Sequence, residues 1–507
     1  MHSDLSLSFD NPIPRPHDGT GKSVGPSGNN GVAPCASGMI YVRNKYTGEI
    51  HRKLEETTLE ASGKMFERAL RGSRIMKNMP SHRRAEILEA TASSILKKQK
   101  KLAETIAIEA GKPIKYSMKE AKRASVTMRF SGEEAKRIYG ETIPFDAEPR
   151  GEGRFAYWIR EPVGVIFAIT PFNDPLNLVA HKLGPALASG NSIIVKPTVI
   201  TPLSAMNLVD LTIASGLPEE CAQTLLASGG SRQVREMLQN ERIKMVTITG
   251  GPEAAADVMQ HSGIKKYSME LGSNSPAIVW EDADLDEAIP DIVDAAFESQ
   301  GQNCIHAQRI LVHERVYDEV RDRIVDATKR LKVGDPLSEE TDVGPMIAEG
   351  EAQRVEAWVK DAARGGGRIL VGGERKGSIY YPTVMERVSP KSAIAQKEVF
   401  GPVTILSKIS SLEQAVELSN SVPYGLQAGV FTNDISVAQR FIDELDYGGV
   451  LINQTSDFRV DFMPFGGFKF SGLGREGIRF AIEAMTEIKL VVYKKKQASR
   501  ADSVRDG

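Results

Sequence analysis

From Thr57 to Tyr139 apolar residues recur three and four apart, most plainly in EILEATASSILKKQKKLAETIAIEAG. That spacing lines one face of a helix, and Gly111 with Pro113 supplies the stop signal. After Gly140 the period changes. Short β-branched runs (FAYWIREP, VGVIFAIT, SIIVKP, QTLLAS, MVTITG) are separated by helical stretches such as PLSAMNLVDLTIAS and SRQVREMLQN, an alternation that predicts a parallel sheet covered on both faces. A second alternating series starts at Ser275 with SPAIVW. It continues through RILVHE, RILVGG, PVTILSKI, QAGVFT and GVLINQ, with helices over Val316 to Leu331 and Ile435 to Leu445. Two α/β domains follow, with their boundary near Glu270 to Ser275. No fixed-period repeat runs through the chain.

The flanks read differently. Residues 1–37 are rich in Pro, Gly, Ser and Asn and poor in large apolar groups, so they bury too little surface to offset ordering entropy and are expected to be a disordered tail. Their alternative is an arm docked on a neighbour. The last dozen residues have the same solvated character.

Composition narrows the class. The 507 residues are 41% hydrophobic and 26% charged, and 64 Lys+Arg against 66 Asp+Glu leave a net charge of -2. Nothing in that balance favours nucleic acid or an anionic membrane as partner. Cys35, Cys221 and Cys304 lie far apart, without the close pairing of metal sites or disulfide frameworks, so no metal is expected and a reducing, cytoplasmic compartment fits. No apolar run approaches the roughly 20 residues of a membrane span, and MHSDLSLSFD lacks a basic start and apolar core.

Cys304 stands out among the three. A lone cysteine is usually a small buried hydrophobe, but Cys304 follows Gly301, Gln302 and Asn303 in SQGQNC, on a loop between a helix and a strand. Backbone amides and polar side chains there replace an apolar pocket, which is what a nucleophilic thiol requires.

SQGQNC, PFNDP (171–175), MELGSNSP (269–276), KEVFGP (397–402) and PFGGFKFSGLGREG (464–477) resemble, in order and separation, the signatures of the NAD(P)-dependent aldehyde dehydrogenase superfamily. The resemblance runs from Ile40 to Tyr493. It implies an NAD(P)-binding domain over 38–144 and 162–272, a catalytic domain over 273–474 and a β-strand oligomerisation arm from 145–161 and 485–496. The activity it implies is oxidation of an aldehyde to the acid. Expelling hydride directly from a carbonyl carbon is hard; adding a thiolate first makes a tetrahedral alkoxide that can release it, leaving a thioester for water to cleave. By resemblance Cys304 is the nucleophile, Asn173 the side-chain donor to the alkoxide beside the Cys304 N–H, and Glu270 the base for thioester hydrolysis. Glu476 resembles a proton-relay residue. The residues alone leave bland alternatives: Asn173 as a turn residue before Pro175, Glu270 as a salt-bridged strand end, Glu476 as a first-turn helix glutamate.

For the cofactor, no G-x-G-x-x-G opens a helix. VTITGGPEAA (246–255) instead ends a strand with Gly250 and Gly251 and starts a helix at Pro252. By resemblance Lys196 reaches the adenosine ribose, Thr170, Pro171 and Phe172 line the dinucleotide, and Glu398 and Phe400 hold the nicotinamide end. NAD-preferring relatives carry a glutamate where this chain has Val199, so rejection of a 2'-phosphate is lost and NADP is expected to be tolerated. Arg123 and Arg459 fall on pocket-lining segments, with Asn303 and Phe465 beside them. Two converging guanidinium groups suit a carboxylate, phosphonate or sulfonate, so a short anionic aldehyde is expected, in the branch of lactaldehyde, semialdehyde and phosphono- or sulfo-aldehyde dehydrogenases. Otherwise Arg123 pairs with Glu120 or Glu134, Arg459 with Asp457 or Asp461, and the substrate is a neutral aldehyde. Arg309 reads as a structural partner of its strand.

ETIPFDAEPRGEGRFAYWIREP and EIKLVVYKKK are β-rich segments outside both domains; by resemblance they join subunits into a dimer or tetramer. The rival classes are a catalytically silent member, which loss of Cys304, Glu270 or Asn173 would mark, and a cysteine hydrolase or acyltransferase, for which only His306 lies close to the cysteine in sequence.

Overall fold

A computed structural model describes residues 38–495; the expected tail, the C-terminal dozen and Cys35 lie outside the described residues. The helical pattern from Thr57 resolves into four helices, Leu59–Asn78, Ser81–Lys97, Gln99–Ala110 and Ile114–Ala135. Gly111 takes the left-handed conformation (φ +74°) that ends the third.

Two mostly parallel sheets carry the fold. In the first, the strand order is Gly472–Leu473, Lys266–Glu270, Ile243–Thr249, Val165–Thr170, Ser192–Pro197, Ala222–Thr224. Only the short Gly472–Leu473 strand runs antiparallel, Gly472 opposite Glu270. The chain therefore enters this sheet at Val165–Thr170, winds outward to Ala222–Thr224, then returns to the other side at Ile243–Thr249. Ligands bind at such a reversal, beyond the carboxyl ends of the strands. Those ends here are Thr170, Pro197, Thr249 and Glu270, so the loops bearing Asn173, Val199 and Gly250 all open on one crevice. Ser192–Pro197 is buried throughout, as expected of a strand covered on both faces.

The second sheet runs Arg368–Val371, Thr383–Glu386, Val403–Ile409, Ala307–His313, Ser275–Val279, Gln427–Phe431, Gly449–Ile452. The RILVGG run, read from sequence as one more parallel strand, pairs antiparallel with Thr383–Glu386 at the edge. The structure also adds elements that the apolar pattern did not reveal: Lys266–Glu270, Thr383–Glu386 and a hairpin of Met39–Arg43 with Ile50–Glu55. Arg309 is structural, donating to the carbonyls of Leu418, Asn274 and Ser419 and to the Tyr447 hydroxyl.

Outside both sheets, Thr486–Lys494, Arg154–Pro162 and Glu141–Ile143 form an antiparallel sheet. Phe155, Ile159, Ile488, Leu490, Val492 and Tyr493 are exposed on it. Among the described residues no helix is long and apolar enough to cross a membrane.

Candidate active site

Cys304 is held by a strained approach. After the helix Leu285–Phe297, Ser299, Gln300 and Gly301 take successive positive φ values of 53°, 60° and 63°, a conformation that L-residues adopt only when the surroundings fix it. The fixing groups are visible. The Gln300 amide donates to the carbonyls of Gly111 and Pro345, the Gln302 side-chain oxygen accepts from the Ile347 N–H at 3.0 Å, and the Asn303 amide donates to Asp457. The polar approach in the sequence thus anchors the loop: the Gln302 and Asn303 side chains are occupied elsewhere, and the thiol is left half-buried beside Ile305, Leu426, Met463 and Phe465. A Cβ on Gly301 would lie 2.3 Å from the Gly401 carbonyl oxygen. Gly301→Ala is expected to cost about 1–3 kcal/mol and to lower the thermal unfolding midpoint, read by calorimetry beside the parent protein.

Glu270 ends its strand with 2% of its surface exposed and with neither carboxylate oxygen hydrogen-bonded. Gly466 makes this burial possible, since a Cβ there would lie 3.0 Å from Glu270 Oε1. Burial, then the neighbouring Glu476 charge, push the Glu270 carboxyl well above the usual range, against Arg459 and Lys182. Glu476 goes the other way. It is equally buried, but Lys182 at 2.9 Å and Arg459 at 3.0 Å hold it ionised, well below its ordinary value despite burial. Neighbouring carboxylates shifted in opposite directions, Glu476 down and Glu270 up, form an arrangement that separates acid–base roles. Burial also raises the Cys304 thiol, with the charges of Glu398, Glu270 and Asp174 adding to it and Arg459 opposing.

Arg123 and Arg459 are linked through Asp461 and His181. Asp461 Oδ1 accepts from Arg123 Nη2, Asn177 Nδ2 and His181 Nε2, each at 3.0 Å. Arg459 donates to Glu476, comes within 3.3 Å of the His181 ring and lies 3.7 Å over the Phe465 ring centre. The alternative pairings read from sequence are corrected. Glu120 goes to Lys112 at 2.6 Å, Asp461 goes to Arg123 rather than Arg459, and Glu134 goes to Arg137. Yet Nε of both Arg123 and Arg459 is buried without a hydrogen-bond partner, which is costly unless a ligand supplies one. Asp174, next to Asn173, takes Lys112 on Oδ1 and Arg123 at 3.4 Å on Oδ2.

The crevice at the other end of Glu270 fits a dinucleotide. Lys196 is buried, and burial lowers its ammonium to about 8 with Glu56 as the opposing charge. Gly251 caps the helix Pro252–Ser262 with no side-chain hydrogen bond, which leaves first-turn amides free for a phosphate. The Thr170 hydroxyl is buried without a partner. Val199 packs with Ile40, Val42, Leu203 and Leu226 in an apolar cluster. Glu398 accepts from the Ser273 N–H at 2.9 Å, and burial raises it to about 8. Phe172 and Phe400 meet edge to face at 5.6 Å.

His306 is buried, its Nε2 is unpartnered, and burial lowers it to about 4. Its backbone N–H bonds the Asn303 carbonyl. The residues that sequence reasoning missed are Lys182, His181, Asp174 and Lys112, while Asp461 entered only as a partner for Arg459. One signal was available: His181 and Lys182 sit inside the helix Asn177–Ala188, every residue of which is buried, and charged groups in such a helix are retained only with partners.

The sequence model of the Aldehyde dehydrogenase family matches residues 32–491. Aspartate-semialdehyde dehydrogenase 1 of Pseudomonas canavaninivorans is 44% identical, over 89% of this chain and 96% of its own. The 3-sulfolactaldehyde dehydrogenase of Priestia aryabhattai is 41% identical, over 91% and 96%. Aldehyde dehydrogenase 21 of Physcomitrella patens, solved in complex with the reaction product succinate, superposes with a TM-score of 0.88 at 38% identity, covering 91% of this chain and 96% of that one.

Proposed function

This chain belongs to the aldehyde dehydrogenase family, and from that premise we propose that it oxidises a short aldehyde carrying a negative group to the corresponding acid, with NAD(P)+, through a thiohemiacetal and a thioester on Cys304. The Cys304 thiol gives up its proton to water, the thiolate sulfur bonds to the carbonyl carbon, and the carbonyl oxygen becomes an alkoxide facing Asn173 and the Cys304 N–H; a donor of this kind is worth about 3 kcal/mol of barrier. A dinucleotide would be held at Lys196, Gly250–Gly251, Glu398 and Phe400 and would accept the hydride that leaves the carbonyl carbon as the alkoxide collapses to the thioester. Glu270 takes a proton from water as its oxygen attacks the thioester carbon, the C–S bond breaks, and the thiolate is regenerated. Glu476 acts as a fixed charge: held ionised between Lys182 and Arg459, it raises the basicity of Glu270.

The observation that carries the substrate reading is the pair of buried Nε–H groups on Arg123 and Arg459 with no acceptor. An anionic group on the substrate would supply the acceptors these guanidinium groups lack. The named substrates of the two relatives, aspartate semialdehyde and sulfolactaldehyde, and the succinate bound by the Physcomitrella enzyme all carry such a group. The test is NAD(P)+ reduction across succinate semialdehyde, sulfolactaldehyde, phosphonoacetaldehyde, hexanal and benzaldehyde. Anionic aldehydes should lead by at least ~10-fold in kcat/KM, and Arg123→Ala or Arg459→Ala should erase the lead, at a cost of about 1.5–3 kcal/mol per charged hydrogen bond. Best activity on hexanal, indifferent to both substitutions, would return the arginines to Asp461 and Glu476 alone and make the substrate a neutral aldehyde.

Val199 in its apolar cluster supports use of NADP beside NAD. The apolar side chains exposed on both faces of the antiparallel sheet, Ile488, Leu490 and Val492 on one and Phe155, Ile159 and Tyr493 on the other, support pairing with a second copy of the chain, because uncovered apolar surface on an outlying sheet is otherwise an aggregation hazard.

A further inference from the structure

Asp174 has no part in the mechanism above, and its position is odd. It follows the oxyanion donor Asn173 directly, and its charge is felt at the Cys304 sulfur. A carboxylate there repels the very anion that Arg123 and Arg459 are placed to receive. Removing the repulsion would have been simple, since Lys112 already has Glu120 as a buried partner at 2.6 Å. Asp174 is nevertheless kept ionised: burial alone would raise it, but Lys112 and Arg123 hold it below the usual range.

Its bonding is also incomplete. The side chains of Lys112, Glu120, Asp461 and Arg459 are 2–6% exposed, whereas those of Asp174 and Arg123 are 23% and 26% exposed. Within the network these two form the open side. An ionised carboxylate accepts about four hydrogen bonds. Asp174 Oδ1 is taken by Lys112, while Oδ2 has only Arg123 at 3.4 Å, at the far limit of a hydrogen bond, because Arg123 commits its other Nη to Asp461 at 3.0 Å. Oδ2 therefore retains acceptor capacity, on a side chain that is partly exposed. The two arginines retain Nε donors. A pocket with both kinds of vacancy matches a substrate with both kinds of group.

We propose that Asp174 is a specificity-determining residue whose Oδ2 accepts a hydrogen bond from a hydroxyl or ammonium group that the aldehyde carries close to its carbonyl carbon. The preferred substrate is then a hydroxy- or amino-aldehyde. This inference rests on the dehydrogenase reading of the site, but only its anion-bearing form needs the two arginines. A partly exposed carboxylate oxygen is closed off from water when the aldehyde sits over it, so a substrate lacking the donor leaves it unpaired and is penalised, which is why hydrogen-bonding sites discriminate better than apolar ones.

The test is a set of kcat/KM ratios on the full chain with saturating NAD(P)+, for lactaldehyde over propanal and for aspartate semialdehyde over succinate semialdehyde. The wild type should favour the donor-bearing member of each pair by roughly 10²-fold or more. Asp174→Leu should bring both ratios to within about threefold of one. Asp174→Asn, nearly isosteric and the safeguard if the leucine variant does not fold, keeps an amide oxygen for the hydroxyl but no charge for the ammonium. Its aspartate-semialdehyde ratio should therefore drop by at least about tenfold, and its lactaldehyde ratio by less. Wild-type ratios below about three in both pairs, or ratios that survive in both variants, overturn the inference. The neutral pair separates the two proposals. A hydroxyl preference without any lead for anionic over neutral aldehydes upholds Asp174 and defeats the arginine reading, and a lead for anions without donor preference does the reverse.

Discussion

Cys304→Ala is expected to reduce aldehyde-dependent NAD(P)+ reduction by roughly 10⁴–10⁶-fold, the usual consequence of removing a nucleophile from a constellation that acts as a unit. The loss should be in chemistry alone. The loop is fixed by Gln300, Gln302 and Asn303, none of which touches the sulfur, so alanine leaves the loop and the dinucleotide crevice standing. Binding of NAD(P)+, followed by calorimetry, should stay within about twofold. The geometry also predicts how the thiol behaves when it is present. Burial and the charges of Glu398, Glu270 and Asp174 raise it, so without ligands it is mostly the protonated, unreactive form at neutral pH. Alkylation of Cys304 by iodoacetamide should accelerate as pH rises past the ordinary thiol range, while buried Cys221, raised to about 12, stays unmodified. Aldehyde oxidation retained above about 1% in Cys304→Ala, or alkylation at full rate at pH 7 in the ligand-free protein, would each contradict the assignment.

How far the sequence carries can be judged residue by residue. The strands Val165–Thr170, Ser192–Pro197 and Val403–Ile409 are legible because a strand covered on both faces must be apolar at nearly every position. Lys266–Glu270 is not: its sequence KYSME has no apolar run, and it is a strand because Ile243–Thr249 on one side and Gly472–Leu473 on the other provide ladders. The five signatures place Cys304, Glu270 and Asn173 near one another through resemblance, and the topology explains the placement, since the Asn173 and Gly250 loops and Glu270 end neighbouring parallel strands. The charge network is a different matter. Arg123 meets Asp461 across 338 positions and Lys182 meets Glu476 across 294. Helical spacing suggested Glu120 for Arg123, but Glu120 is directed into the core, where it receives Lys112 and the amide N–H groups of Leu176 and Asn177. Local spacing lists candidates for a pair, and burial decides among them.

Glu270→Gln should separate the two halves of the reaction. Acylation needs Cys304 and the oxyanion donors and is expected to continue, so mixing enzyme, aldehyde and NAD(P)+ should give a burst of about one reduced cofactor per site. Steady turnover should then fall by roughly 10²–10⁴-fold, the usual worth of a general base, and the acyl group should appear as an added mass on the intact protein. The pH profile follows from the sign of the shift. Burial and Glu476 raise the Glu270 carboxyl, so the carboxylate that takes a proton from water exists only above that raised value. In the wild type, hydrolysis should therefore climb tenfold per pH unit through a range well above that of an ordinary glutamate and then level off; in Glu270→Gln this limb should vanish. The same shift acts on stability with the opposite preference. A carboxyl whose folded pKa exceeds its unfolded one favours the folded state below the unfolded value, and that contribution is lost as pH rises through the folded one. Neutral glutamine escapes the loss, so Glu270→Gln should be at least as stable as the wild type at neutral and alkaline pH. Unfolding of the variant would then be excluded as the cause of its low turnover. Steady turnover equal to wild type, or a burst without added mass, would move the base elsewhere, and Glu476, pinned as an anion by Lys182 and Arg459, is poorly placed to replace it.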